Sequence, residues 1–137
     1  EPLKPLGSVA SGGEISRVML AVKTVLADEE DTPTLIFDEI DTGISGITAG
    51  KVGDRLRLIG KSRQVICITH LPQIAATADH HFLIRKKAEG TSVRTDVEML
   101  DEAASVEELA RLLGGANVTE RVMESAKELK ELAKCER

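Results

Sequence analysis

The sequence has no tryptophan and no tyrosine, and its only aromatic side chains are Phe37 and Phe82. Single-strand binders stack bases on aromatic faces, and nucleic-acid modules in general carry a basic surplus. Here acidic residues outnumber basic ones and the formal net charge is -5, so this stretch of chain by itself is a poor candidate for gripping DNA or RNA. Cysteine is nearly as scarce. Cys67 lies in the apolar run "QVICIT" and Cys135 in a polar tail, which suggests neither a disulfide framework nor a metal cluster and makes a reducing, cytoplasmic compartment the expectation. No apolar run approaches the roughly 18 residues that cross a bilayer. The start, "EPLKPLGSVA", has no basic segment followed by an apolar one, so no membrane and no secretory route is expected. What remains, at 137 residues and 42% apolar, is enough for one domain with a core of its own.

Ile15, Val18, Met19, Val22, Val25 and Leu26 recur at the spacing of a helix with one buried face. The helix is expected to end in the acidic turn "ADEEDTP". "TLIF" then reads as a short strand buried on both faces, the pattern of a parallel sheet, and it runs straight into the acidic "DEID". A loop rich in Gly, Ser and Thr leads to a second helix, "ITAGKVGDRLRLIG", with Gly60 as its stop. "RQVICITH" is a second buried strand, and "LPQIAATA" a short helix with Pro72 in its first turn. Alternation of strand and helix predicts an α/β architecture, mainly a parallel sheet flanked by helices. "HFLIRKKA" and "SVRTDVEML" read as a hairpin around Glu89, Gly90 and Thr91. Two C-terminal helices follow, "SVEELARLLGG", with Ser105 and Glu108 as a capping box, and "TERVMESAKELKELAK", which buries Val122, Ala126, Leu129 and Ala133.

Two glycines open the first helix, in "VASGGEISRVML", although glycine costs about 1 kcal/mol relative to alanine inside a helix. Ser11 and Glu14 fit the capping box S-x-x-E, which accounts for a helix start there. It does not account for Gly12 and Gly13, whose missing side chains would let an anion approach the unsatisfied N–H groups. Further along, ligands of an open parallel sheet bind beyond the carboxyl ends of its strands. Asp38 and Glu39 follow one such end and His70 follows another. One carboxylate there can serve Mg2+ and its neighbour can position an attacking water; taken singly, the same residues also read as a solvated acidic turn and a hydrogen-bonding histidine. Asp79-His80-His81 lacks a cysteine or glutamate at ligand spacing and is a weak metal candidate.

Taken in order, these features resemble the ABC-type ATPases, and within them the SMC-like heads of DNA repair proteins. Ala10-Ser11-Gly12-Gly13-Glu14 looks like the ABC signature motif, Thr34 to Glu39 like Walker B, Asp41-Thr42-Gly43 like the D-loop and Thr69-His70 like the switch histidine. The runs "EPLKPLGSVASGGEISR", "FDEIDTGISG" and "ITHLPQIAATAD" are similar to an SMC-like repair branch beyond what the generic motifs require, and the resemblance covers most of the chain. It implies an ATP sandwich between two heads. Ser11, Gly12 and Gly13 would face the γ-phosphate of ATP held by the second head, Asp38 would serve Mg2+, and Glu39 would polarise the attacking water. His70 would contact the γ-phosphate, and Asp41 would lie at the dimer seam and couple the two sites.

The sequence departs from the family in one large respect. A Walker A loop, G-x-x-x-x-G-K-[ST], is missing. In "GDRLRLIGKS" six residues separate Gly53 from Gly60 instead of four, and Gly-Lys-Ser falls at a helix end before a strand. SMC-like heads are split, with Walker A in an N-terminal lobe. The resemblance therefore implies that residues 1–137 are a single C-terminal head lobe of a P-loop ATPase, acting with an N-terminal Walker A lobe of the same parent, nearly inactive alone, and touching DNA only through that parent. Ala10 and Glu14 replace the Leu and Gln of the generic signature; Glu at the end marks the SMC-like branch. A fragment of a transporter's nucleotide-binding domain and a non-hydrolytic nucleotide clamp are the alternatives, and Glu39 speaks against the clamp.

Overall fold

The computed structural model of the chain describes residues 5, 7, 9–26, 32–89 and 92–135. Most of the expected acidic turn, residues 27–31, and the hairpin tip at residues 90 and 91 lie outside the described residues. The chain divides into two compact units, Glu1–Thr77 and Ala78–Arg137.

The first unit contains α1 (Gly12–Val25), β1 (Thr34–Phe37), α2 (Gly46–Gly60), β2 (Gln64–Cys67) and α3 (Pro72–Ala75). The two strands pair in parallel, from Thr34 opposite Gln64 to Phe37 opposite Cys67. The Ile68 N–H donates to the Phe37 carbonyl at 3.0 Å, so pairing persists to the point where both chains leave the sheet. Leu20 of α1, Leu35 and Phe37 of β1, Ile40, and Val52, Leu56 and Ile59 of α2 meet in one buried cluster that Ile74 of α3 completes. The i, i+4, i+7 spacing on α2 turns those three side chains to one side. Pro72 opens α3, where its missing N–H has no intrahelical partner to lose.

Three expectations are corrected in this unit. The stripe expected to be the buried face of α1 is exposed at Val18, Met19, Val22 and Val25, and Leu20 enters the core instead. The strands are not buried on both faces: Ile36 is 68% exposed, and Ile66, its partner in register, 45%. A parallel sheet loses both faces to water only when helices cover each of them, and here the core covers the Leu35 and Phe37 side alone among the described residues. Nor is the sheet mainly parallel across the chain. The parallel pair has four-residue strands, whereas the longest strands belong to an antiparallel hairpin.

That hairpin, β3 (His81–Glu89) and β4 (Ser92–Leu100), opens the second unit, followed by α4 (Glu102–Gly114) and α5 (Glu120–Cys135). Leu109, Ala110 and Ala126 are fully buried in it, and Val122, Leu129 and Ala133 half-buried, as the α5 stripe predicts. Gly115, at φ 64°, stops α4, a conformation that suits glycine. The expected capping box at Ser105 and Glu108 is not formed. Asp101 caps α4 one turn earlier, its carboxylate accepting from the Ala104 N–H at 2.8 Å, because a carboxylate at that position satisfies a first-turn donor as well as serine does. Ser105 and Glu108 thereby fall inside the helix and are buried.

Ser105 instead meets His81, whose Nδ1 lies 2.9 Å from the serine hydroxyl and ties β3 to α4. Burial pushes the His81 pKa below its ordinary 6.5, the Lys130 ammonium of α5 adds to the lowering, and Glu108 of α4 opposes it. The unfolded chain therefore takes up a proton near pH 6.5, before the folded chain does. Stability from this histidine is complete above that value and is lost as the pH falls below it. The urea midpoint of the chain is expected to decrease between about pH 7.5 and about pH 5.5, and His81→Gln to flatten that decrease. An equal slope in the variant would assign the effect elsewhere.

Candidate functional site at the carboxyl edge of the parallel strands

The site begins with α1. The Ser11 hydroxyl accepts from the Glu14 N–H at 3.4 Å while Glu14 Oε2 accepts from the Ser11 N–H at 2.8 Å, so the capping box is closed. The Ser11 hydroxyl also donates to Glu14 Oε2 at 2.9 Å, and the bonds from the Ser11 N–H first and from this hydroxyl second hold the Glu14 carboxyl below the usual range. The box leaves the N–H groups of Gly12 and Gly13 without a partner inside the helix.

Gly13 has a structural cause that no sequence pattern signals. A Cβ on Gly13 would stand 2.8 Å from the Glu39 carbonyl oxygen and 2.9 Å from both the carbonyl oxygen and Cβ of Thr42, and one on Gly12 would stand 2.6 Å from Glu39 Oε2. The bare backbone is approached by this chain's own acidic turn. Ser16 and Arg17, which sequence reasoning passed over, fasten the same contact. The Ser16 hydroxyl donates to the Asp38 carbonyl at 3.0 Å, and the Arg17 guanidinium donates to the carbonyls of Ile40 and Thr42 at 3.1 and 2.8 Å.

The turn itself follows β1. Asp38 accepts the Glu39 N–H on Oδ1 at 2.9 Å, the Thr42 N–H returns to the Glu39 carbonyl at 3.1 Å, and Ile40 drops into the core. Reversing the chain this tightly puts Glu39 at φ 56°, where a non-glycine residue is strained by about 1 kcal/mol or more. Both carboxylates are exposed.

Asp41 behaves differently. Expected at a seam between heads, its side chain is turned inward and is 4% exposed. Its Oδ2 accepts from the Thr69 hydroxyl at 2.7 Å and the His70 N–H at 2.8 Å, and lies 2.9 Å from His70 Nδ1. Burial alone would raise the Asp41 pKa; the hydrogen bonds from Thr69 and the His70 N–H, with the charge of the His70 ring, outweigh it and hold the carboxyl below its ordinary value. The His70 side chain itself is 71% exposed. Cys67, at the end of β2, is pushed up to about 12 by burial and by the nearby Asp41 and Asp38 carboxylates, which makes it an inert thiol.

The structure thus brings Asp38, Glu39 and Asp41 out of one strand end and His70 out of the adjacent one, with the Ser11-Gly12-Gly13 helix start packed on the turn. Among the described residues no three His, Cys, Asp or Glu side chains converge as a metal cage. A single exposed carboxylate fits Mg2+ that arrives with phosphate, since that ion keeps water and phosphate oxygens as its remaining ligands. Gly60-Lys61-Ser62 lies at the end of α2, ahead of β2, the wrong context for a loop that wraps phosphates between a strand and a helix. In the second unit the His81 ring nitrogen is engaged by Ser105, while His80 is exposed.

No protein-family model matches the chain. Among curated proteins it is 50% identical to the DNA repair protein RecN of Halalkalibacterium halodurans, over 97% of the chain and 24% of the relative. It is 49% identical to RecN of Vibrio cholerae and 45% identical to RecN of Bacillus subtilis, each over 94% of the chain, and covers 23% and 22% of those relatives. The chain is homologous to one segment of RecN. It spans about a quarter of the length of the RecN relatives it matches. A solved structure from work on ATP-driven dimerization and DNA-stimulated activation of SMC ATPases has a TM-score of 0.56 and 19% identity, over 85% of the chain and 70% of that structure. The fold, with small parallel and antiparallel sheets among helices, therefore resembles that of the SMC ATPase structure. No helix among the described residues is long and apolar enough to cross a membrane.

Proposed function

We propose that the chain is the ATP-binding and hydrolysing head lobe of a RecN-like protein of DNA double-strand break repair, completed by an N-terminal Walker A lobe and working in an ATP-sandwiched dimer of heads. The observation that carries this reading is the exposed Asp38, Glu39 and His70 along one edge of a parallel strand pair, in a sequence without a Walker A motif. The bare sheet face of Ile36 and Ile66 supports it, because an apolar parallel face of this kind suits cover by a further lobe.

Asp38 would hold Mg2+, which when bound offsets the charge of the phosphate oxygens. Glu39 orients and polarises the attacking water from the turn that packs on the start of α1. His70 holds the γ-phosphate. Ser11 and the N–H groups of Gly12 and Gly13 face the nucleotide of a second head, with the helix dipole favouring the anion. The turn carrying Asp41 meets that head at the seam. DNA is engaged through the parent polypeptide, consistent with the acidic balance of this segment.

Mg-ATP turnover by the purified chain tests the division of labour. The chain alone is expected to show none above background, and the chain joined to a Walker A lobe in the full-length polypeptide is expected to show it. Sustained turnover by the chain alone, lost on Glu39→Gln, would contradict the need for a second lobe.

A further inference from the structure

We infer that Asp41 is the positioning residue for His70, fixing which ring nitrogen faces the reacting phosphate. This rests on the role proposed for His70 and extends it to a residue buried behind it. Three groups converge on one oxygen of Asp41: the Thr69 hydroxyl, the His70 N–H and His70 Nδ1. The same oxygen thus takes a hydrogen bond from the backbone of the histidine and an ion-pair contact from its ring. The ring meets that oxygen as an ion-pair contact, and a carboxylate, which accepts and does not donate, favours the hydrogen on Nδ1 and leaves Nε2 as the nitrogen presented outward. Thr69 secures the carboxylate in turn, because its hydroxyl donates to Asp41 while accepting the Leu71 N–H at 3.1 Å. The ring is 71% exposed and the carboxylate 4%: the acceptor is buried and fixed, and the ring it orients reaches into solvent.

The consequence for chemistry is directional. A phosphate oxygen is an acceptor, so the ring that binds it does so with a hydrogen on Nε2, which means both nitrogens are then protonated. Asp41 supplies the negative charge behind that imidazolium, the arrangement by which a buried carboxylate serves a histidine in other active sites. Asp41 does not touch substrate and loses no proton in this scheme. Its effect passes entirely through His70.

Two measurements test this. In the unaltered chain, two-bond nitrogen–proton NMR spectra are expected to find His70 with hydrogen on Nδ1 from neutral pH upward. A neutral ring protonated on Nε2 would overturn the inference without touching the ATPase reading, and needs no variant to fold. In the full-length polypeptide, Asp41→Asn keeps the shape of the side chain and is expected to lower kcat at least about tenfold with KM for Mg-ATP little changed. In a His70→Ala background the same substitution is expected to change kcat hardly at all, since coupled residues are not additive. Equal losses in both backgrounds would make Asp41 a structural residue only and overturn the inference. If His70→Ala alone left turnover intact, the role proposed for His70 would fall, and the NMR result would still report whether Asp41 holds the ring.

Discussion

Gly13→Ala is expected to destabilise the chain by about 1 to 3 kcal/mol, against the usual gain of about 1 kcal/mol when alanine replaces glycine in a helix. The reversal of sign follows from what the new methyl would meet. Two of its three nearest neighbours, at 2.8 and 2.9 Å, are the backbone oxygens of Glu39 and Thr42. Neither can swing aside, because Arg17 holds the Thr42 carbonyl and the Thr42 N–H holds that of Glu39. Relief would require α1 to lift from the turn, loosening Leu20 from the core. Gly12→Ala is the control. Its methyl would crowd only the end of the Glu39 side chain, which can rotate away, so a change within about 0.5 kcal/mol is expected for an exposed position. Urea denaturation of the two variants decides the matter, and equal stabilisation by both would show that α1 does not rest on the turn as described.

Glu39→Gln in the full-length polypeptide is expected to lower Mg-ATP turnover by about 10²- to 10⁴-fold, the range in which a positioned general base contributes. Glutamine keeps the length and shape of the side chain but loses the charge that polarises water. Because the Glu39 side chain is exposed and its backbone bonds run through N–H and carbonyl groups, the fold should not register the change; the melting temperature is expected to stay within the ordinary scatter of surface substitutions. A large loss of turnover in a variant as stable as the parent separates chemistry from folding. A loss of both would instead make Glu39 a residue of the turn and return "DEID" to a structural role.

Much of the first unit was legible in the sequence because its elements obey local rules. Apolar spacing locates α1 and α2, though the α1 stripe of Val18, Met19, Val22 and Val25 faces outward and Leu20 enters the core; Ser11 and Glu14 cap where a capping box should, and Pro72 begins α3. The parallel pairing of "TLIF" with "QVIC" follows from two apolar runs joined by a helical crossover. Long-range facts were not legible. Nothing in "SGG" announces that the turn at Glu39 to Thr42 packs on it, since that contact joins residues 26 or more positions apart along the chain from Gly13 to Glu39. Burial of both strand faces was expected from composition, yet burial depends on what lies opposite, and Ile36 has nothing over it among the described residues. At α4 two acidic or hydroxyl residues competed to cap one helix, and Asp101 prevailed over Ser105, which bonds His81 from the next element. In the site, residue types and order pointed to Asp38, Glu39 and His70 at the carboxyl edge. The inward Asp41 carboxylate could not be read, because an acidic residue in a polar loop looks the same in sequence whether it faces water or a histidine.

The composite site itself is tested most directly by the mass of the full-length polypeptide in solution, measured by light scattering with Mg-ATP in the Glu39→Gln variant, which should bind nucleotide without consuming it. The account predicts an ATP-dependent dimer that falls back to monomer when Ser11→Arg is added, because the arginine blocks the helix start that faces the second head's nucleotide. A dimer that forms equally well without ATP, or that survives Ser11→Arg unchanged, would contradict it.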